Sequence, residues 1–134
     1  MKLRSLLPFA VLPGLLVLGT GCASSAEAGP RRDTTVLTAE EMAEAGVTNL
    51  YEAVERLRPR WLQVRTRRSI AMEPEVSVFH NRIYVGPAEQ LRTMGLTGVA
   101  RLRYMDGPLA AANLRLPAGV AVEGAILVET GGGG

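Results

Sequence analysis

The 134-residue sequence holds one Cys, one His and one Trp, and only 4% of it is aromatic. A lone His and a lone Cys cannot complete the three or four N and S ligands of a zinc site, and one Cys forms no intrachain disulfide. His80 is accounted for by a turn position. Ser69 and Ser77 lack a base and an orienting group, so nucleophilic hydrolysis is not expected. Glu73 and Glu75, flanking Pro74, read as solvated loop acids and not as a catalytic pair. The glycines form no phosphate-cradling loop after a strand. No enzyme, no cofactor and no metal centre is expected from this inventory, and no internal repeat is visible.

Long apolar runs are equally scarce. Leu6 to Leu18 is the only one, and it carries Pro8, Pro13 and Gly14. A bilayer span needs about 20 apolar residues, so this run, preceded by Lys2 and Arg4, reads as a secretion signal and not as a transmembrane helix. Gly19, Thr20 and Gly21 then lead directly into Cys22. This stretch resembles the lipobox of bacterial lipoproteins, with Gly19 where Leu is usual and Leu18 one step further out. The resemblance implies cleavage before Cys22 and lipidation of its thiol, which also explains the missing disulfide partner. In similar lipoproteins of Gram-negative cells an Asp after the Cys favours the inner membrane. Ala23 stands there, so the resemblance implies the outer membrane, with the protein facing the periplasm.

Lysine is nearly absent, since Lys2 is the only basic residue of the 15 that is not Arg. The formal charge of +2 and the pI near 9.1 would suit a nucleic-acid binder. Removing residues 1–21 takes away Lys2 and Arg4 and no acid, leaving 13 Arg against 13 Asp plus Glu. The basic character therefore belongs to the signal, and nucleic acid is not an expected partner.

Residues 22–33 read as a flexible tether, 34–130 as one domain and 131–134 as a disordered glycine tail. Within the domain, Thr34 to Leu37 reads as a strand. Thr38 with Glu41 forms a capping box, opening a helix that Gly46 ends. Thr48 can cap a second helix with Leu50, Ala53, Val54 and Leu57 on one face and Glu52 paired to Arg56 on the other. Pro59 stops it, and Trp61 to Thr66 alternates as a strand. Val76 to Val85 reads as a hairpin with His80-Asn81 in the turn, which sets Val78 opposite Ile83 and Val76 opposite Val85 on a buried face. A short helix is expected from Pro87 to Met94. A strand follows over Val99 to Met105, with Ala100, Leu102 and Tyr104 facing the core. Asp106-Gly107-Pro108 turns the chain into a helical turn at Ala110 to Leu114. Ala125 to Thr130, nearly all apolar, suits a central strand covered on both faces. The expected class is α+β, with a small mixed sheet of four to six short strands and two or three short helices.

The order of these pieces resembles the plug domain of TonB-dependent outer-membrane receptors. The resembling stretches are Val36 to Met42, Gly46 to Val54, the Phe79 to Val85 hairpin, Val99 to Ala111 and Gly124 to Thr130. The turn carries His80-Asn81 where Asp-Gly is typical, and Asn113 to Leu116 lacks the usual Tyr-Gly. The sequence ends where a receptor would begin its barrel, so transport by this chain alone is not expected. Asp33 to Ala39 looks superficially like the energy-coupling box of those receptors. It runs straight into the capped helix, which favours a plain strand.

Arg56, Arg58, Arg60, Arg65, Arg67 and Arg68 follow one another without an intervening acid. They are the candidate partner-binding residues, for phosphate-bearing lipid or an acidic surface. The acids just before them, including Glu52 and Glu55, favour a solvated and balanced face instead. The resulting expectation is a lipid-anchored binding module attached to the membrane through Cys22. Its partner by resemblance is an outer-membrane barrel, of transport or assembly type, or a TonB-like protein. The alternative is a carrier or sensor of small envelope ligands.

Overall fold

The computed structural model describes residues 32–65 and 74–132. The expected signal with Cys22, most of the expected tether, Thr66, Arg67, Arg68, Ser69, Glu73 and the last two glycines lie outside those residues. Among the described residues no helix is long and apolar enough to cross a membrane.

Five strands form one mixed sheet: β1 (Val36–Thr38), β2 (Glu75–His80), β3 (Ile83–Pro87), β4 (Val99–Asp106) and β5 (Val122–Thr130). Their spatial order is β1-β4-β5-β2-β3, with β2 and β5 parallel and the other pairs antiparallel. The helices are α1 (Ala39–Ala45), α2 (Leu50–Leu57) and α3 (Gly107–Asn113), joined by 3₁₀ segments at Pro59–Leu62 and Ala88–Thr93. The fold is α+β, as the sequence patterns imply.

Strand alternation divides the apolar residues between two cores. Leu37, Leu102, Val76, Val78, Ile126 and Val128 share one face of the sheet with Met42, Leu50, Val54, Trp61 and Leu91. Phe79, Met105, Ala125 and Leu127 point the other way, against Ala110 and Leu114. β5 is therefore central and covered on both faces, which is why it carries so few polar residues.

The local start and stop signals act as expected around α1. Glu41 N donates to Thr38 Oγ1 at 3.3 Å and Thr38 N donates to Glu41 Oε2 at 3.1 Å, which closes the capping box. Gly46 ends the helix at φ 63°. The cap of α2 is Asn49, not Thr48: Asn49 Oδ1 accepts from Glu52 N at 2.9 Å. Thr48 instead donates its N–H and hydroxyl to Glu52 Oε2 at 2.9 and 3.0 Å. Leu50, Ala53 and Val54 are buried as the periodicity requires.

Five further expectations need correction. Of the expected strand from Trp61 to Thr66, the described residues, Trp61 to Arg65, form none. Pro59 opens a 3₁₀ segment that ends at Leu62, and Trp61 Nε1 donates to Thr34 O at 3.0 Å. No ladder is open to that segment, because β4 is paired on both sides and the outer edge of β1 is occupied by an arginine described below. The Pro87 to Met94 helix is 3₁₀ and begins at Ala88, after the proline. Ala100 faces solvent, since an irregularity between Val99 and Arg101 breaks the alternation. The single turn after Pro108 is a seven-residue helix capped by Asp106, whose Oδ1 accepts from Leu109 N at 3.0 Å. Gly131 is not frayed but donates its N–H to Gly98 O at 3.0 Å.

The seventh correction is the hairpin register. Asn81 and Arg82 both have positive φ, 46° and 72°, so they form the two central residues of the turn. That is the primed turn geometry whose twist matches a hairpin. His80 is then opposite Ile83 and Phe79 opposite Tyr84, and the ladder resumes with Val78 opposite Gly86. Val85 is the extra residue of a bulge. The shift moves Ile83 and Val85 out of the buried positions that the sequence reading assigned to them.

Candidate interaction edge

A five-stranded open sheet has two edges, and unpaired backbone on either can accept another strand. The two edges here differ. β1 is three residues long and Arg58 lies along its outer side. Arg58 Nη2 donates to Val36 O at 3.0 Å and to Asp33 O at 3.5 Å. The same nitrogen is 3.0 Å from Glu41 Oε1, and both side chains are largely removed from water. This edge is closed by a charged side chain held in place.

β3 is the open edge. Ile83 is 72% exposed and Val85 40%, two of the three large hydrophobics exposed among the described residues. Tyr84, between them, turns inward. Its ring meets Phe79 edge-on at 5.6 Å and 67°, and its hydroxyl donates to Glu75 Oε1 at 3.1 Å. Burial pushes the Tyr84 phenol above its ordinary pKa, and the hydrogen bond to Glu75 adds to the shift. The Ser77 hydroxyl, fully buried, donates to the same Glu75 oxygen at 3.2 Å. Glu75 is thus the shared acceptor of Tyr84 and Ser77 at the start of β2.

The turn that presents this edge is fastened on both sides. Asn81 Oδ1 accepts from Thr130 N at 3.1 Å, and Asn81 Nδ2 donates to Thr130 Oγ1 at 2.9 Å. Arg82 Nη2 donates to Asn113 O at 2.8 Å, satisfying a carbonyl at the C-terminus of α3. Two shallow grooves open to solvent flank the turn. One is lined by Asn81, Arg82, Arg101, Glu129 and Thr130, the other by Arg82, Asn113, Leu114 and Arg115. Arg101 in the first is neutralised by an ion pair with Glu129. Among the described residues no group of three His, Cys, Asp or Glu side chains is placed to hold a metal ion.

Among the described residues of the arginine run, Arg56, Arg58, Arg60 and Arg65 are engaged separately, and Arg67 and Arg68 lie outside the described residues. Arg56 pairs with Glu52 at 3.1 Å and donates to Ala45 O at 2.8 Å, capping the end of α1. Arg58 serves β1 and Glu41, as above. Arg60 is exposed on the 3₁₀ segment, and Arg65 donates its backbone N–H to Glu123. His80 is half-buried at the end of β2. Tyr51 is covered by Arg92, whose guanidinium carbon is 3.6 Å from the ring centroid, and Trp61 stacks on Tyr104 at 5.7 Å. Sequence reasoning missed Arg82, Ile83 and Val85 as surface features. The available signal was Asn81, whose tolerance of positive φ places it equally well at either position of the turn.

The chain matches no family model, no curated protein and no solved structure.

Proposed function

We propose that this protein is a lipid-anchored, periplasm-facing binding module of the cell envelope, similar in plan to a TonB-dependent receptor plug. Its partner is an outer-membrane transport or assembly protein, engaged through the free edge of β3. The observation that carries this reading is the asymmetry of the two edges. One is closed by Arg58, while the other presents Ile83 and Val85 to solvent on a hairpin fastened at its turn. An extended segment adding to such an edge gains main-chain hydrogen bonds for affinity and side-chain contacts for selectivity. The grooves beside the turn are open, which suits a polypeptide segment better than a small molecule needing to be enclosed. The anchor rests on the Leu6 to Leu18 apolar run and the small residues that lead from it into Cys22. Each acyl methylene contributes about 0.8 kcal/mol, so two or three chains hold a protein firmly on a bilayer.

The test is site-specific photocrosslinking in intact cells from a probe at Ile83, with Cys22→Ala in parallel. The native chain should fractionate with membranes and crosslink to an outer-membrane barrel protein, and Cys22→Ala should release the chain into the soluble fraction. A native chain that is soluble and captures no membrane-bound protein would overturn both the anchor and the partner.

A further inference from the structure

The same edge is complementary to itself, and we infer that β3 pairs with β3 of a second copy about a two-fold axis through Tyr84. The inference deepens the reading of β3 as an interaction surface by naming the occupant it takes in the absence of another partner.

The backbone fixes the axis. In a two-residue hairpin the closing pair exchanges both of its hydrogen bonds, so His80 and Ile83 spend theirs on each other. Alternation then turns the N–H and C=O of Tyr84 away from β2, toward the open edge. The bulge at Val85 breaks the alternation, and Pro87 has no N–H to offer, so pairing cannot extend far in that direction. Tyr84 is therefore the place where a donor and an acceptor both stand free before the ladder is disturbed. A two-fold axis at this residue satisfies all four groups at once, with two identical Tyr84-to-Tyr84 bonds.

The side chains agree with that axis. With Tyr84 opposite Tyr84, Ile83 of each copy lies opposite Val85 of the other on the same face. The two exposed apolar residues of β3 cover each other twice, leaving no charged residue opposite either. Such an interface is isologous and closes at two copies, with no free edge left to propagate. The strand needs little ordering on association, because Tyr84 is held by Phe79 and Glu75 and the turn by Thr130 and Asn113. Three residues per copy bury far less than the roughly 1,600 Å² of a standard interface, so the dimer is weak in dilute solution. Confinement on a membrane raises the effective concentration that such a contact needs.

Disulfide trapping reads a weak contact and its register together. The chain is expressed from its complete sequence with Cys22→Ala, which removes its only cysteine, and with either Ile83→Cys or Val85→Cys. The predicted axis sets residue 83 about 4.5 Å in Cα separation from residue 85 of the other copy, and each about 7–8 Å from its own counterpart. Only the first distance falls within the range a disulfide spans. Under mild oxidation an equimolar mixture of the two variants should form the mixed disulfide on the order of tenfold faster than either variant forms its own. Both sites are exposed, and unchanged thermal melts of the reduced variants establish that each is folded. A second measurement uses no cysteine: sedimentation of the Cys22→Ala chain should show concentration-dependent dimer that Ile83→Lys abolishes. The inference is overturned if the mixture reacts no faster than the separate variants, if Val85→Cys alone is fastest, or if Ile83→Lys leaves the dimer intact. Photocapture of a barrel protein without the mixed disulfide keeps the proposed function and removes the dimer. The mixed disulfide without barrel capture does the reverse.

Discussion

Arg58 donates from Nη2 to Glu41 Oε1 at 3.0 Å, joining the residue after α2 to the first turn of α1 across the outer edge of β1. Burial on its own would raise the Glu41 carboxyl, but the Thr38 N–H and the Arg58 guanidinium outweigh it and hold the pKa below the ordinary value. A depressed folded-state pKa contributes stability above the unfolded value, near 4.3, that is lost as pH falls through the folded value. Glu41→Gln keeps an oxygen able to accept the Thr38 N–H and removes only the charge. It should lower stability by about 2 kcal/mol at pH 7, less than a fully buried broken pair costs. It should also flatten the acid limb of the Tm-against-pH curve below about pH 4.3. An acid limb as steep as that of the native chain would remove Glu41 as its source.

The two candidate caps of α2 separate experimentally. Asn49→Ala removes the acceptor of Glu52 N and should cost about 1 kcal/mol. Thr48→Ala loses a hydroxyl contact to Glu52 but keeps the backbone one, and should cost under about 0.5 kcal/mol. Urea denaturation of both variants gives the comparison. Equal costs would mean that Thr48 shares the capping.

What was legible in the sequence is what a few neighbouring residues decide. Thr38 with Glu41, Gly46, and the Leu50, Ala53 and Val54 face are local signals, and they hold. So does the apolar run that makes β5 central. What was not legible depends on distant partners. The turn at Asn81 and Arg82 places a non-glycine residue at φ 72°, and the contacts fastening it come from Thr130 and Asn113, far along the chain. The Trp61 to Thr66 alternation has no ladder to join because Arg58 occupies the one edge beside it. The arginine run is legible as a basic stretch balanced by nearby acids, but not its division: α2 and the segment after it send Arg56 to the end of α1 and Arg58 to β1.

Gly124 is required by a neighbour. A Cβ there would stand 2.5 Å from Tyr104 Oη and 2.9 Å from the ring, on the side chain that stacks against Trp61. Gly124→Ala should therefore cost about 2 kcal/mol by overpacking and shift the emission of Trp61, the only tryptophan. In a Tyr104→Ala background the same substitution should cost much less, since the clash is gone. Additive costs in the double variant would place the strain elsewhere.

The hairpin register is open to the same kind of test. Asn81 holds φ 46° and makes three side-chain contacts with Thr130, so its backbone conformation and its hydrogen bonds both stabilise the turn. Asn81→Gly keeps the left-handed conformation and loses only the side chain, at about 1 kcal/mol. Asn81→Ala loses both and should cost about 2 kcal/mol, because a Cβ in that region adds about 1 kcal/mol. Thermal melts should therefore rank native above Asn81→Gly above Asn81→Ala. If His80 and Asn81 were the central pair instead, Ile83 would be buried opposite Val78, and Ile83→Lys would be strongly destabilising. With Asn81 and Arg82 in the turn, Ile83→Lys should leave the melting temperature of the monomer nearly unchanged, because the side chain is already in water.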